Sequence, residues 1–346
     1  MQKINLLGYT MPQMEGLLTK FGAHSFHGRQ VYKWLYNIRQ FDFNLMTDLS
    51  KELRTKLDES CKVEGLTLQT KSVSRDGTEK YLFRLHDGHP VESVLIPDDD
   101  RRTLCISSQA GCAVGCKFCA TGTMGLLRDL TVGEIIGQLI HARETHGDDA
   151  FTNVVMMGMG EPLMNYNAVM DAVKIMVNEV GLAMGAKRIT VSTSGVTPKI
   201  KKMADSGLKP RLAVSLHAAT QEKRRRIMPI ADTFGLDGLI EATRYYSEVT
   251  ASRVTFEYVL LRDFNDSKDD VGKLGRLVRG IDCKVNLLAY NPVPGLAFER
   301  PSDERVDWFA RQLLEMVPAV TVRRSRGRDI EAACGQLAAR QRDNTQ

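Results

Sequence analysis

From residue 103 onward the chain alternates short apolar runs with amphipathic stretches, six times over. The runs Thr103–Ser107, Asn153–Met157, Arg188–Thr193, Arg211–Leu216, Arg253–Leu261 and Lys284–Ala289 have the length and apolar content of buried strands. Between them, Thr131–Thr145, Asn165–Asn178, Leu236–Val249 and Ser267–Arg279 show helical periodicity. In the first of these, Val132, Ile135, Ile136, Leu139 and Ile140 form one stripe. Repetition of this kind predicts a parallel α/β fold with its working residues at the C-terminal ends of the strands. About 220 residues are too few for the eight units of a closed barrel, so the expectation is a partial (βα)6 TIM-like barrel over residues 103–325.

What precedes this core has a different texture. Residues 1–62 read as a helical accessory domain. Val31, Trp34 and Leu35 share a face of a helix that also carries Arg29, Lys33 and Arg39, and Leu49, Leu53 and Leu57 recur four apart. The basic residues make this a candidate RNA-binding unit, against the plainer reading of a helical bundle with solvated charges. Residues 63–102 switch to strand-like alternation, with Asp76-Gly77 and Asp87-Gly88 as hairpin turns, and read as a β extension leading into the core. Glu92 lies in its last apolar run, where a lone carboxylate ordinarily takes the solvent face. A composition of 43% hydrophobic and 26% charged residues is that of a soluble globular protein. No apolar run reaches the roughly 18 residues of a membrane span, and the N-terminal residues lack a signal-peptide pattern. The chain is therefore expected to be cytoplasmic, its seven cysteines reduced rather than paired in a disulfide framework. A net charge of +5 permits an anionic partner without demanding one.

The loop after the first core strand reads Gly111-Cys-Ala-Val-Gly-Cys-Lys-Phe-Cys119. Cys112, Cys116 and Cys119 sit at C-x3-C-x2-C spacing, and soft thiolates so close together favour zinc or an iron–sulfur centre. Zinc wants a fourth ligand nearby, and the next cysteine is Cys283. A four-iron cluster held by three cysteines leaves one iron open for a small ligand. Further polar groups stand at the other strand ends: Gly160 and Glu161 in Gly158-Met-Gly-Glu-Pro162, Ser192, Ser215-Leu216-His217, and Asn291. Each taken singly is also a plausible cap or turn residue. Near the C-terminus, Arg323, Arg324, Arg326 and Arg328 precede a lone Cys334. Arginines in such a cluster suit phosphate contacts, while a free cysteine is often just a small buried side chain.

The triple-cysteine spacing, with Phe118 before the last thiol, resembles the signature of radical S-adenosylmethionine (SAM) enzymes, in which SAM chelates the open iron of a [4Fe-4S] cluster. Longer runs narrow the likeness. Leu104-Cys-Ile-Ser-Ser-Gln-Ala-Gly-Cys, Met156-Met-Gly-Met-Gly-Glu-Pro-Leu, Ser192-Thr-Ser-Gly, Ser215-Leu-His-Ala, Asn291-Pro-Val-Pro-Gly and Asp329-Ile-Glu-Ala-Ala-Cys-Gly-Gln-Leu together resemble the RlmN family, which methylates C2 of adenosine in 23S rRNA and tRNA. The resemblance implies cluster ligation by Cys112, Cys116 and Cys119, and SAM contacts at Gly160, Glu161, Ser192, Ser215, Leu216, His217 and Asn291. It implies that Cys334, on a C-terminal segment spanning 326–346, carries the methyl group, that Cys105 is the resolving thiol, and that Glu92 accepts a proton. Cys61 and Cys283 are left as structural thiols.

Adenine C2 is not nucleophilic, so direct displacement on SAM cannot methylate it. The implied route uses two SAM: one methylates Cys334, and a radical from the second activates that methyl group to add to C2. Cys105 then attacks the Cys334 sulfur and frees the RNA, leaving a disulfide. The partners implied are 23S rRNA, tRNA, an electron donor such as flavodoxin, and a thiol reductant. A sister activity on C8 of ribosomal adenosine would use the same cysteines. A non-catalytic iron–sulfur or metal-binding protein would leave Cys105, Cys334 and the strand-end polar set without a role.

Overall fold

The computed structural model describes residues 3–339. Its centre is one sheet of ten strands: β1 (Thr67–Val73), β2 (Glu79–Arg84), β3 (Pro90–Asp98), β4 (Arg101–Cys105), β5 (Asn153–Met156), β6 (Ile189–Thr193), β7 (Arg211–Ser215), β8 (Val254–Leu260), β9 (Cys283–Ala289) and β10 (Val320–Arg323). In space they lie in unbroken sequence order. From β4 to β10 every neighbouring pair is parallel, and from β1 to β4 every pair is antiparallel. Helices Val132–His146, Tyr166–Val177, Thr197–Ala204, Gln221–Ile227 with Leu236–Thr250, Lys268–Leu277 and Asp303–Leu314 make the six crossovers. Parallel strands need such crossovers, and the helices cover them, so β8 and β9 are buried along nearly their whole length.

The expected (βα)6 core is therefore present, with one addition. Six strands were legible as apolar runs; the seventh parallel strand, β10, was not. It is an edge strand whose residues alternate between half-buried and exposed and which ends on the exposed Arg323, so it carries no apolar run. Among the crossovers, Thr197–Ala204, Gln221–Ile227 and Asp303–Leu314 were not among the helices read from the sequence; the second of these, Gln-Glu-Lys-Arg-Arg-Arg-Ile, looks like a solvated charge run.

In the N-terminal region, Ile4–Asn5 pairs with Cys61–Lys62 and brings the two ends of the helical segment together. Leu49, Leu53 and Leu57 are buried, as are Val31 and Leu35. This unit sits directly on the first crossover helix through two glycines. A Cβ on Gly133 would lie 2.4 Å from Leu7 O, and one on Gly8 would lie 2.3 Å from Gly133 N. Side chains there would force the two apart. That helix starts with a reciprocal cap, Thr131 N donating to the Glu134 carboxylate at 2.8 Å and Glu134 N to Thr131 Oγ1 at 3.2 Å. No helix among the described residues is long and apolar enough to cross a membrane.

Candidate active site

The cysteine loop leaves β4 and is held at its base by a small ribbon, Gln109–Gly111 against Leu126–Asp129. Cys112 N donates to Gly125 O at 2.8 Å, and Lys117 N donates to Ile227 O at 2.9 Å, which ties the loop to helix Gln221–Ile227. These anchors put Cys112, Cys116 and Cys119 on the wall of one cavity of about 240 Å³. Burial pushes the Cys112 thiol up to about 12 and Cys116 well above its ordinary range, and neighbouring thiols of the trio push in the same direction. Metal binding would supply the positive charge that thiolates in this setting lack.

The donor set distinguishes between metals. A single zinc ion, with Zn–S bonds near 2.3 Å, gathers its thiolates to within roughly 4 Å of one another. Among the described residues there is no group of three or more His, Cys, Asp or Glu that could hold a single metal ion. A cubane gives each thiolate an iron of its own, and three cysteines facing a shared cavity fit that group.

Opposite the loop, the strand ends converge. Gly160 has φ +100° and its Cβ position lies 2.5 Å from Gln109 Cβ, so only glycine fits there. The close approach lets Gln109 Oε1 accept from Glu161 N at 2.8 Å. The Glu161 carboxylate is buried and accepts from Ser194 N at 2.6 Å, Ser194 Oγ at 2.7 Å and Leu163 N at 3.0 Å. Burial raises its pKa, and the Ser194 hydrogen bonds oppose that rise. Ser192, Ser215, His217 and Asn291 line the same cavity. Leu216 does not. Its side chain is fully buried in the core, and its hydrogen bonds are made through backbone. His217 is held in a left-handed conformation with Nδ1 accepting from Val259 N at 3.0 Å. Burial, with Arg224 nearby, lowers its pKa to about 3, so it is neutral.

The C-terminal segment crosses this opening. Asn291 Nδ2 donates to Cys334 O at 3.1 Å, Ala120 N to Gly335 O at 2.7 Å and Thr121 Oγ1 to Leu337 O at 2.5 Å. The result is that Cys334 and Cys105, 229 residues apart in sequence (334 − 105), line one cavity with the cysteine trio. Both are free thiols. Burial pushes Cys105 up to about 12, and the charge of Cys334 adds to that rise; Cys334 is exposed as a residue, yet the protein around its sulfur pushes that thiol to about 11, and Arg323 opposes both. Residues 340–346 of the expected C-terminal segment lie outside the described residues.

Glu92 is buried rather than solvent-facing, and it is not among the cavity-lining residues. Its carboxylate pairs with Lys80 at 3.0 Å and accepts from the amides of Ala338 at 3.1 Å and Ala339 at 3.0 Å. It therefore grips the segment that carries Cys334. Of the arginines, Arg323, Arg324 and Arg326 line the cavity, while Arg326 also pairs with Asp98 at 2.9 Å. Cys61 and Cys283 are buried in the core.

Two residues went unread in the sequence. Arg224, hidden in a charge run, is fully buried beneath the site. Glu257, in the middle of β8, lines the cavity, accepts from Asn286 Nδ2 at 2.9 Å through one oxygen and leaves the other buried without a partner. A carboxylate in the apolar run Val-Thr-Phe-Glu-Tyr-Val-Leu was the available signal for Glu257; nothing marked Arg224.

Comparison with known proteins agrees with this geometry. Residues 106–274 match the model of the radical SAM superfamily, and residues 4–63 match that of the ribosomal RNA large subunit methyltransferase N-terminal domain. The chain is 45% identical to the dual-specificity RNA methyltransferase RlmN of Alcanivorax borkumensis, over 99% of this chain and 92% of that protein. It is 46% identical to its counterpart from Geobacter sulfurreducens, over 96% and 92% respectively. The crystal structure of a radical SAM methyltransferase from Sphaerobacter thermophilus superposes with a TM-score of 0.91 at 44% identity, over 97% of this chain and 100% of that one. With likeness of this extent across both its N-terminal unit and its barrel, the chain belongs to the RlmN family of radical SAM RNA methyltransferases.

Proposed function

We propose that this enzyme methylates C2 of adenosine in 23S rRNA and tRNA, with Cys334 as the carrier of the methyl group and two SAM consumed per turnover. The observation that carries the reading is the meeting of Cys105 and Cys334 on the wall of the cavity that the cysteine trio also lines. A cluster site alone has no use for two further thiols.

In this reading Cys112, Cys116 and Cys119 hold the [4Fe-4S] cluster. Gly160, Glu161, Ser192, Ser215, His217 and Asn291 hold SAM, with Leu216 contributing backbone only. Bound there, the two cofactors supply a transferable methyl group and a hydrogen-abstracting radical. Cys334 brings the methyl carbon to the base and is left joined to it. The joined adduct gives up one electron to a one-electron acceptor such as a flavodoxin-type partner and loses its C2 proton to Glu92, which requires the amides of Ala338 and Ala339 to move off the carboxylate first. Cys105, as thiolate, then attacks the Cys334 sulfur; the transferred carbon leaves with the electron pair of the broken bond and takes up a proton to become the methyl group, and a Cys105–Cys334 disulfide remains. An electron donor such as flavodoxin and a thiol reductant complete the cycle. Cys105 is 8% exposed, so its attack is shielded from competing water.

The test is anaerobic methylation of both RNA types, with the product base read by mass spectrometry for C2 against C8. Cys105→Ala is expected to accumulate an RNA–protein adduct on denaturing gels, and Cys334→Ala to form none. Equal adduct in both, or in neither, would remove these roles. Cys116→Ala is expected to lose the four irons; their retention would remove the cluster assignment.

A further inference from the structure

Arg224 lies on the short helix whose last residue, Ile227, accepts the hydrogen bond from Lys117 in the cysteine loop. It is 0% exposed. Its Nε donates to Leu216 O at 3.2 Å, and its Nη2 donates to Ser215 O at 3.3 Å and to Ser194 O. Its Nη1 is buried with no hydrogen-bond partner. Every direct hydrogen bond to this buried positive charge thus comes from a backbone carbonyl. Burial of that kind is strongly unfavourable unless a formal negative charge stands nearby.

The groups around it identify that charge. Cys116 and Glu161 are the negative groups whose fields reach the guanidinium, and both favour its charged form against the burial that lowers its pKa to about 10. The Ser194 peptide sits between Arg224 and Glu161, its carbonyl accepting from the guanidinium while its amide donates to the carboxylate. Arg224 does not line the cavity, so it touches neither substrate nor cofactor.

We propose that Arg224 is a positioning residue whose buried charge balances the anionic cluster held by Cys112, Cys116 and Cys119 and raises its reduction potential. The inference rests on the cluster reading above. A cation behind Cys116 stabilises the state with one more electron, so it eases the one-electron reduction that radical SAM chemistry needs. A purely architectural role, in which the guanidinium merely ties together the ends of β6 and β7, predicts no such dependence on charge.

Two variants separate charge from hydrogen bonding. Arg224→Lys keeps the charge and loses the planar fork, while Arg224→Gln keeps donors for the carbonyls and loses the charge. Each is purified anaerobically, assayed for iron, and titrated against potential with the reduced cluster followed by electron paramagnetic resonance. Arg224→Gln is expected to become harder to reduce by at least tenfold in the reduction equilibrium, about 59 mV for one electron, and Arg224→Lys to stay near wild type. Loss of iron in Arg224→Gln but not in Arg224→Lys also supports a requirement for charge. An unmoved potential in Arg224→Gln with iron retained, or equal loss of iron in both variants, overturns the proposal. Wild-type protein without a four-iron cluster would instead remove the underlying reading, before either variant is made.

Discussion

Cys334 faces the opening of the cavity, yet the protein around its sulfur pushes its thiol from about 9 to about 11. Thiolate is the reactive form, and an acid whose pKa rises by two units holds about 100-fold less of its anion at neutral pH. The sign is fixed: reactivity grows with rising pH and levels off only above the raised value. Cofactor-free protein should therefore show Cys334 alkylation by iodoacetamide climbing about tenfold per pH unit from 7 to 10, as followed by peptide mass spectrometry. A plateau near pH 9 would mean that the thiol is not perturbed. Cys105, pushed to about 12 and 8% exposed, should be slower throughout.

At the scale of elements, the β extension and the C-terminal segment act as one device. The segment leaves the sheet at β10 and reaches back to the antiparallel end. There Gly327 N donates to Asp76 at 2.9 Å, Ser74 Oγ donates to Asp329 at 2.5 Å, and Glu92 takes the amides of Ala338 and Ala339. It thereby joins the two open ends of a sheet that does not close on itself, and Cys334 sits between its two anchors. Glu92→Ala removes the C-terminal anchor and leaves Lys80 without its 3.0 Å partner. Each buried charge-assisted hydrogen bond is worth about 1.5–3 kcal/mol. Hydrogen exchange at residues 335–339 should accelerate at least about tenfold in this variant, while the amides of β8 and β9 stay protected. Unchanged exchange in the segment would show that Glu92 does not hold it.

For the molecule as a whole, Arg323, Arg324 and Arg326 line the same cavity as Cys334, which under the proposed function is where the substrate RNA is received. Phosphate contacts make RNA affinity salt-dependent through counterion release. Replacing Arg323, Arg324, Arg326 and Arg328 together by alanine should flatten the plot of log affinity against log salt by roughly 0.7 for each phosphate no longer neutralised on single-stranded RNA. Arg326, shared with Asp98, should contribute less than the others. A slope identical to wild type would mean that the RNA backbone lies elsewhere, the helical N-terminal unit seated on Gly133 being the alternative.

The sequence by itself determined the elements whose signal is local. Apolar runs buried on both faces marked six parallel strands, because a strand covered by helices cannot carry polar residues along its length without leaving them buried. The spacing of Cys112, Cys116 and Cys119 marked three thiols on one short loop, which the structure sets on the wall of one cavity, because residues on one turn are close in sequence. The tertiary structure alone decided what depends on distant contacts. It made an edge strand of Val320–Arg323, whose half-buried and exposed residues alternate and give no apolar run, and it turned Glu92 inward to grip backbone amides some 246 residues away. It buried Arg224, one basic residue in a run of four, under the cysteine loop. Burial and charge balance belong to the assembled chain: a carboxylate or guanidinium has the same sequence letter in water as in the core, and only the groups folded against it determine which it occupies.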